Sequence, residues 1–220
     1  LLDFFRAHFE DWQPEVLPWV EIPDLPLQAL GQTLVYPMPD KANVSLMLGH
    51  QTCLKRTDPD YFAAMLANHV LGQSSLSSRL GIRIRDDLGL TYGIYSTFAD
   101  LGRSAGPWLV SVSTHPDNVH TVISETRKVI SRFVKQGMRE QELLEARSSL
   151  IGSYLVNLTT HSEIASRLLQ VEQYGLGLDY FQRRARLVEA VTHEEILQAL
   201  QRHIHPERLS IAIAGKHGQE

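Results

Sequence analysis

Apolar residues at Leu1, Phe4, Phe5, Phe9 and Trp12 recur at helical spacing, so the chain is expected to begin with a helix that carries one apolar face. Pro14, Pro18, Pro23 and Pro26 then remove backbone donors and fix φ where periodicity is lost. Residues 1–14 therefore read as the tail helix of a preceding unit, and residues 15–30 as a Pro-rich linker. Beyond it the period shortens. Gln32 to Tyr36 and Asn43 to Thr52 predict two strands separated by the turn Pro37-Met-Pro-Asp-Lys41. Asp58-Pro59 reads as a helix start, Asp as cap and Pro in the first turn, with the helix running through Tyr61, Phe62, Met65, Leu66, His69 and Val70 to Gly72.

Ser74 or Ser75 can cap the next helix, whose Leu76, Leu80, Ile84 and Leu88 recur every four residues as a buried stripe. Gly89 supplies a left-handed stop. Tyr92 to Leu101 and Pro107 to Thr114 predict a hairpin joined by the Gly102 to Gly106 turn. From Pro116 the pattern is helical, broken at Gly137, Asn157 to His161, Gly175 to Gly177 and Ala190 to Thr192; Thr192-His-Glu-Glu195 is a capping box for the last helix. Arg208 to Ala214 alternates Leu209, Ile211 and Ile213 with small residues, a late strand that must rejoin the earlier sheet to bury its apolar face. The expected fold is α+β: a mostly antiparallel sheet of about five or six strands with helices packed on one face, one domain over residues 31–220.

Composition narrows function mainly by exclusion. With 43% hydrophobic and 21% charged residues and a net charge of −4, the 220 residues carry no clustered basic footprint for nucleic acid. No apolar run approaches the ~20 residues of a membrane span. The N-terminal segment lacks a basic leader and a small-residue cleavage site, so it does not read as a signal peptide, and the compartment is left open. The single cysteine, Cys53, ends an apolar run and is expected to be a buried structural thiol, since His50, three residues away on a strand, points to the opposite face. None of the ten histidines begins H-x-x-E-H or H-E-x-x-H: His161 starts His-Ser-Glu-Ile-Ala and His193 starts His-Glu-Glu-Ile-Leu. The histidines are expected at the surface or in caps, and no zinc site is expected on this chain.

The most informative stretch is Leu71 to Tyr95. A polar, basic helix stops at Gly89 and delivers Tyr92 into a strand, an arrangement that can hold Arg85 and Tyr92 side by side at a cleft edge. On spacing alone the favoured reading is a surface salt bridge from Arg85 to Asp86 or Asp87 and a core tyrosine. Arg79 braces the turn after Gly72 or is solvated, and Gly89 and Gly93 read as backbone-geometry positions.

Leu71-Gly72, Ser78-Arg79-Leu80, Arg85 through Gly89-Leu-Thr-Tyr92, and the helix start in Gly137-Met-Arg-Glu-Gln-Glu-Leu-Leu-Glu-Ala-Arg147 together resemble the C-terminal half-domain of the pitrilysin-type (inverzincin) zinc metallopeptidases, which include mitochondrial processing peptidase. The likeness runs through nearly the whole chain in element order. It implies that Arg85 and Tyr92, as an Arg-x6-Tyr pair, grip the peptide substrate. Zinc and the general base would come from an N-terminal H-x-x-E-H half in the same polypeptide or a partner subunit, with no cofactor held by this chain and no activity in isolation. The alternative within the same family is a non-catalytic scaffold or assembly subunit.

Overall fold

In the second strand, β2 (Val44–Gln51), Val44, Leu46 and Leu48 are buried while Ser45 and Met47 are exposed, so one face of the pleat meets a core and the other stays open. The computed structural model describes residues 2–13, 30–74, 77–99, 101–102 and 104–216. Four further strands join β2: β1 (Thr33–Pro37), β3 (Thr91–Phe98), β4 (Pro107–Thr114) and β5 (Ser210–Gly215). Their order is β1-β5-β2-β4-β3. Three pairings are antiparallel, and β1 with β5 is parallel. The sheet is thus mixed with antiparallel pairing dominant, and the late strand rejoins it between β1 and β2.

Helices cover the buried face. After α1 (Leu2–Phe9) come α2 (Tyr61–Asn68), α3 (Val119–Gln136), α4 (Glu140–Asn157), α5 (His161–Gln173), α6 (Tyr180–Ala190) and α7 (His193–His203). The breaks between them fall where glycine or capping residues stand: Gly137 has φ 68°, and Gly175 and Gly177 have φ 61° and 80°. Thr192 and Glu195 form the reciprocal capping box, each bonding the other's backbone N–H. On α3, Val119, Val122, Thr126, Ile130 and Phe133 recur every three or four residues and are fully buried, which fixes the face it presents to the core. The α1 side chains are uncovered, and residues 14–29, which hold nearly all of the Pro-rich linker, lie outside the described residues.

Some local expectations are corrected. Asp58 does not cap α2: its carboxylate accepts from Lys55 N (2.8 Å), so Asp58-Pro59 builds the preceding turn and the helix begins at Tyr61. Ser74 does not cap the next helix, and Ser75 lies outside the described residues. Ser78 caps it, its hydroxyl accepting from Gly81 N (3.1 Å) while Ser74 Oγ bonds Ser77 Oγ. Both this helix and the end of α2 widen into π-helical turns, at Gly81–Asp87 and His69–Gln73. The four-residue spacing of Leu80 and Ile84, both buried, suits that wider winding.

Two polar contacts tie the layers together. Buried Asn68 at the end of α2 accepts from Trp108 Nε1 (2.9 Å) and Ser96 Oγ (2.7 Å) and donates to Ser96 O (3.0 Å). Gly72 permits the close approach, because a Cβ there would lie 2.4 Å from Ser96 Oγ. Arg79, read above as a brace for its own turn, instead makes a two-pronged bond to Glu142 of α4 (3.0 and 2.7 Å) and lies 4.6 Å from the centre of the Phe133 ring. Burial pushes the Glu142 carboxyl up, but the bonds from Arg79 and from the Arg139 backbone and side chain outweigh it and leave its pKa at about 2.

Asn68→Ala leaves the Trp108 and Ser96 donors unpaired in the core and is expected to cost about 2–4 kcal/mol, read from the urea unfolding midpoint. For Glu142→Gln the expected loss is about 2 kcal/mol at neutral pH. Because the folded carboxyl titrates below the unfolded one, the wild-type advantage over Glu142→Gln is full above the ordinary carboxylate pKa of 4.5 and fades as pH falls toward about 2. Unfolding curves of both proteins across that range check it.

Candidate functional site

The open side of the sheet forms a shallow trough of about 860 Å³ whose floor is built by cross-strand register. One row runs Ala214, Ser45, Ser113; the next runs Ala212, Met47, Ser111, Tyr95. Side chains at alternate strand positions share a face, so the small residues at Ser45, Ser111, Ser113, Ala212 and Ala214 leave the floor low between larger neighbours. Nothing in the linear sequence singled out these positions. The signal that was available is the alternation of Ser and Ala with the buried Val and Ile of the same strands.

Tyr92 and Tyr95 stand at one side of this trough. Pairing of β3 with β4 slips between Thr91 and Ile94, a bulge that turns the Tyr92 side chain out of the pleat. The bulge is pinned by Thr91, whose hydroxyl lies 2.6 Å from Ser113 O and accepts from Gly93 N (3.1 Å). Tyr92 is 97% exposed, which rules out the core-tyrosine reading. The Tyr95 ring lies across Gly93, where an added Cβ would come within 3.0 Å of it.

Arg85 lies on the last π-helical turn before β3. That turn ends at Gly89 (φ 62°), with Gly89 N donating to Arg85 O (3.1 Å) and Leu90 N to Ile84 O (3.0 Å). The guanidinium donates through Nε and Nη2 to the two carboxylate oxygens of Asp86 (2.7 and 3.0 Å), so the expected pairing with a neighbouring Asp is made, with Asp86. These bonds raise the Arg85 pKa and lower that of Asp86; Tyr95 and Tyr92 act on Arg85 as weaker electrostatic neighbours. Tyr95, which the sequence did not single out, lines the trough beside Tyr92, and Arg85 precedes their strand across the Gly89 stop.

The model of the family described as Peptidase M16 inactive domain matches residues 1–150, more than half the chain. The chain belongs to this M16 peptidase family. The M16 domain is 32% identical over 158 residues to an uncharacterized zinc protease of Mycobacterium bovis, covering 71% of this chain and 35% of that protein. It is 30% identical over 166 residues to a non-peptidase homolog of Helicobacter pylori, covering 73% of this chain and 37% of that protein. Among solved structures, a peptidase M16 inactive domain from Pseudomonas fluorescens superposes with a TM-score of 0.81 at 27% identity, over 90% of this chain and 46% of that one. The chain therefore spans about a third of the length of these curated relatives.

Among the described residues of the M16 domain, no group of three or more His, Cys, Asp or Glu is placed to hold a metal ion. No described helix is long and apolar enough to cross a membrane. The expectation of surface or capping histidines fails at two positions. His50 and His203 are 8% and 3% exposed. His50 Nδ1 sits 2.9 Å from Gln51 O and its Nε2 accepts from His205 N (3.0 Å), the pattern of a neutral ring, and burial lowers its pKa.

His203 Nε2 lies 3.0 Å from Asp60 Oδ2 and its Nδ1 3.5 Å from Cys53 Sγ. Burial lowers its pKa against the opposing Asp60 bond. Cys53 is exposed, contrary to the buried-thiol reading, because the chain leaves the sheet after Gln51 and turns the thiol toward α7 at the surface. Iodoacetamide applied to the native protein is expected to modify Cys53 without denaturant, as read by peptide mass mapping. A thiol that reacts only after unfolding would return it to the core.

Proposed function

We propose that this chain is the substrate-gripping C-terminal half of a zinc-dependent endopeptidase, in which Arg85 and Tyr92 hold the peptide backbone or its oxyanion. Zinc and the general base would be supplied by an H-x-x-E-H half in the same polypeptide or in a partner subunit. On this reading residues 1–14 close the preceding unit, residues 15–30 link the two, and residues 31–220 form the substrate-binding domain. The uncovered apolar side chains of α1, Phe4, Phe5 and Phe9, support that division.

The observation that carries the reading is the exposed Tyr92 at the side of an open sheet face floored by small side chains, with Arg85 on the helical turn that leads into its strand. Attack on a peptide carbonyl moves negative charge onto its oxygen, and donors already aimed at that oxygen stabilise the transition state more than the ground state. Arg85 supplies a permanent charge on a planar fork whose orientation Asp86 braces. Tyr92 supplies one directional hydroxyl on a rigid ring. At 97% exposure that hydroxyl is fully hydrated, so it gains little over water until an opposing half closes over the trough and lowers the local dielectric. This is the physical reason to expect no peptidase activity from the chain alone.

The 30% identity to a protein named a non-peptidase homolog supports the second reading, a non-catalytic scaffold or assembly subunit. Arg85→Ala and Tyr92→Phe, each made in the full-length protein, decide between them. The endopeptidase reading expects each to lower kcat/KM by about one to three orders of magnitude with zinc content and folding unchanged. Wild-type activity in both variants would remove the pair from the mechanism, and a full-length protein without zinc or activity would establish the scaffold.

A further inference from the structure

On the helical side of the fold, away from the trough, a pocket of about 330 Å³ is lined by Arg56, Arg167 and Arg184 together with Tyr61 and Tyr154. Among the described residues lining it there is no carboxylate. The guanidiniums are instead held against rings and neutral acceptors. Arg56 lies 4.0 Å from the centre of the Tyr61 ring and donates to Tyr180 Oη (2.7 Å). Arg184 lies 4.1 Å from the centre of the Tyr154 ring and donates to Leu150 O (3.2 Å). Arg167 donates to Gln170 Oε1 (3.0 Å), and its Nη2 is 3.7 Å from Glu163 Oε2, a carboxylate that stands outside the pocket lining.

Cation–π contact compensates a charge only in part, and gathering like charges in a half-buried place is costly unless an anion joins them. Two polar atoms here also await a partner: the Tyr154 hydroxyl, on a side chain only 9% exposed, and Arg167 Nε are both buried and make no hydrogen bond. With Glu163 partly balancing Arg167, the uncompensated charge is that of Arg56 and Arg184. Two such charges match a dianion, whereas a carboxylate would neutralise only one.

We propose that this pocket binds a phosphate-class oxyanion, free or carried as a phosphomonoester, with Arg56 and Arg184 supplying charge and Tyr154 and Arg167 supplying the remaining donors. The bound anion would tie α4, α5 and α6 to the segment that precedes α2, because Tyr154, Arg167, Arg184 and Arg56 come from those four places. Burial first, and the nearby Arg56 charge to a lesser extent, lower the Arg184 pKa, a cost that a bound dianion would offset.

Calorimetric titration and thermal unfolding of the full-length protein with inorganic phosphate, phenyl phosphate and acetate, at matched ionic strength, test this. Saturable phosphate binding is expected, with acetate weaker by about tenfold or more. Arg56→Gln and Arg184→Gln should each weaken phosphate binding by about tenfold or more, and Tyr154→Phe, which keeps the ring and the fold, by a few-fold. Tighter binding of phenyl phosphate than of the free ion would identify an ester as the ligand, and equal binding the free ion. A phosphate response no greater than that of acetate would overturn the proposal, as would wild-type phosphate affinity in both Arg56→Gln and Tyr154→Phe.

Discussion

The architecture depends on a single buried amide. Asn68 sits where α2 widens into a π-helical turn, and its side chain satisfies the Trp108 indole on β4 and the hydroxyl and carbonyl of Ser96 on β3. All three residues are buried, so each polar group would carry a desolvation penalty if its partner moved. The node therefore holds the helix layer in one position against the hairpin. Gly72, which lets the same helix end approach Ser96, is a steric condition of that geometry.

From this fixed hairpin the candidate site is built outward. β3 is anchored from below through Ser96, Ile94 and Phe98, all buried, while on its other side the bulge at Thr91 to Ile94 frees Tyr92 to face solvent. The helix that carries Arg85 is clamped through Leu80 and Ile84 in the core and through Arg79 on Glu142 of α4. Arg85 and Tyr92 are thus presented from two rigid elements joined by a short glycine stop. A rigid mounting of this kind lets donors keep their aim in the absence of a ligand.

Insertion of β5 between β1 and β2 completes the trough. It brings Ala212 and Ala214 into register with Met47 and Ser45, and so extends a floor of small side chains over three strands. On its opposite face Ile211 and Ile213 enter the core. One strand at the end of the chain therefore contributes both to the hydrophobic layer and to the open surface, as the two-residue period of a pleated strand requires.

Local pattern was enough to read much of this molecule. The helix breaks at Gly137, Gly175 and Thr192, the extent of β4, the stop at Gly89 and the α+β class are set by φ preferences, capping chemistry and hydrophobic period, which act over a few residues. The order of helix end, glycine stop and strand entry from Arg85 to Tyr92 is likewise legible in a short segment. What lies far apart in the chain was decided by tertiary structure: Arg79 on Glu142, Cys53 beside His203, the burial of His50, and the cluster of Arg56, Arg167 and Arg184. Exposure and ion pairing at such places depend on which distant element packs alongside, and the π-helical turns depend on packing against the sheet. Sequence by itself determined where the chain turns and which face of each element is apolar, because those are local free-energy preferences; the partners of its polar groups were set only when long-range packing brought them within hydrogen-bonding distance.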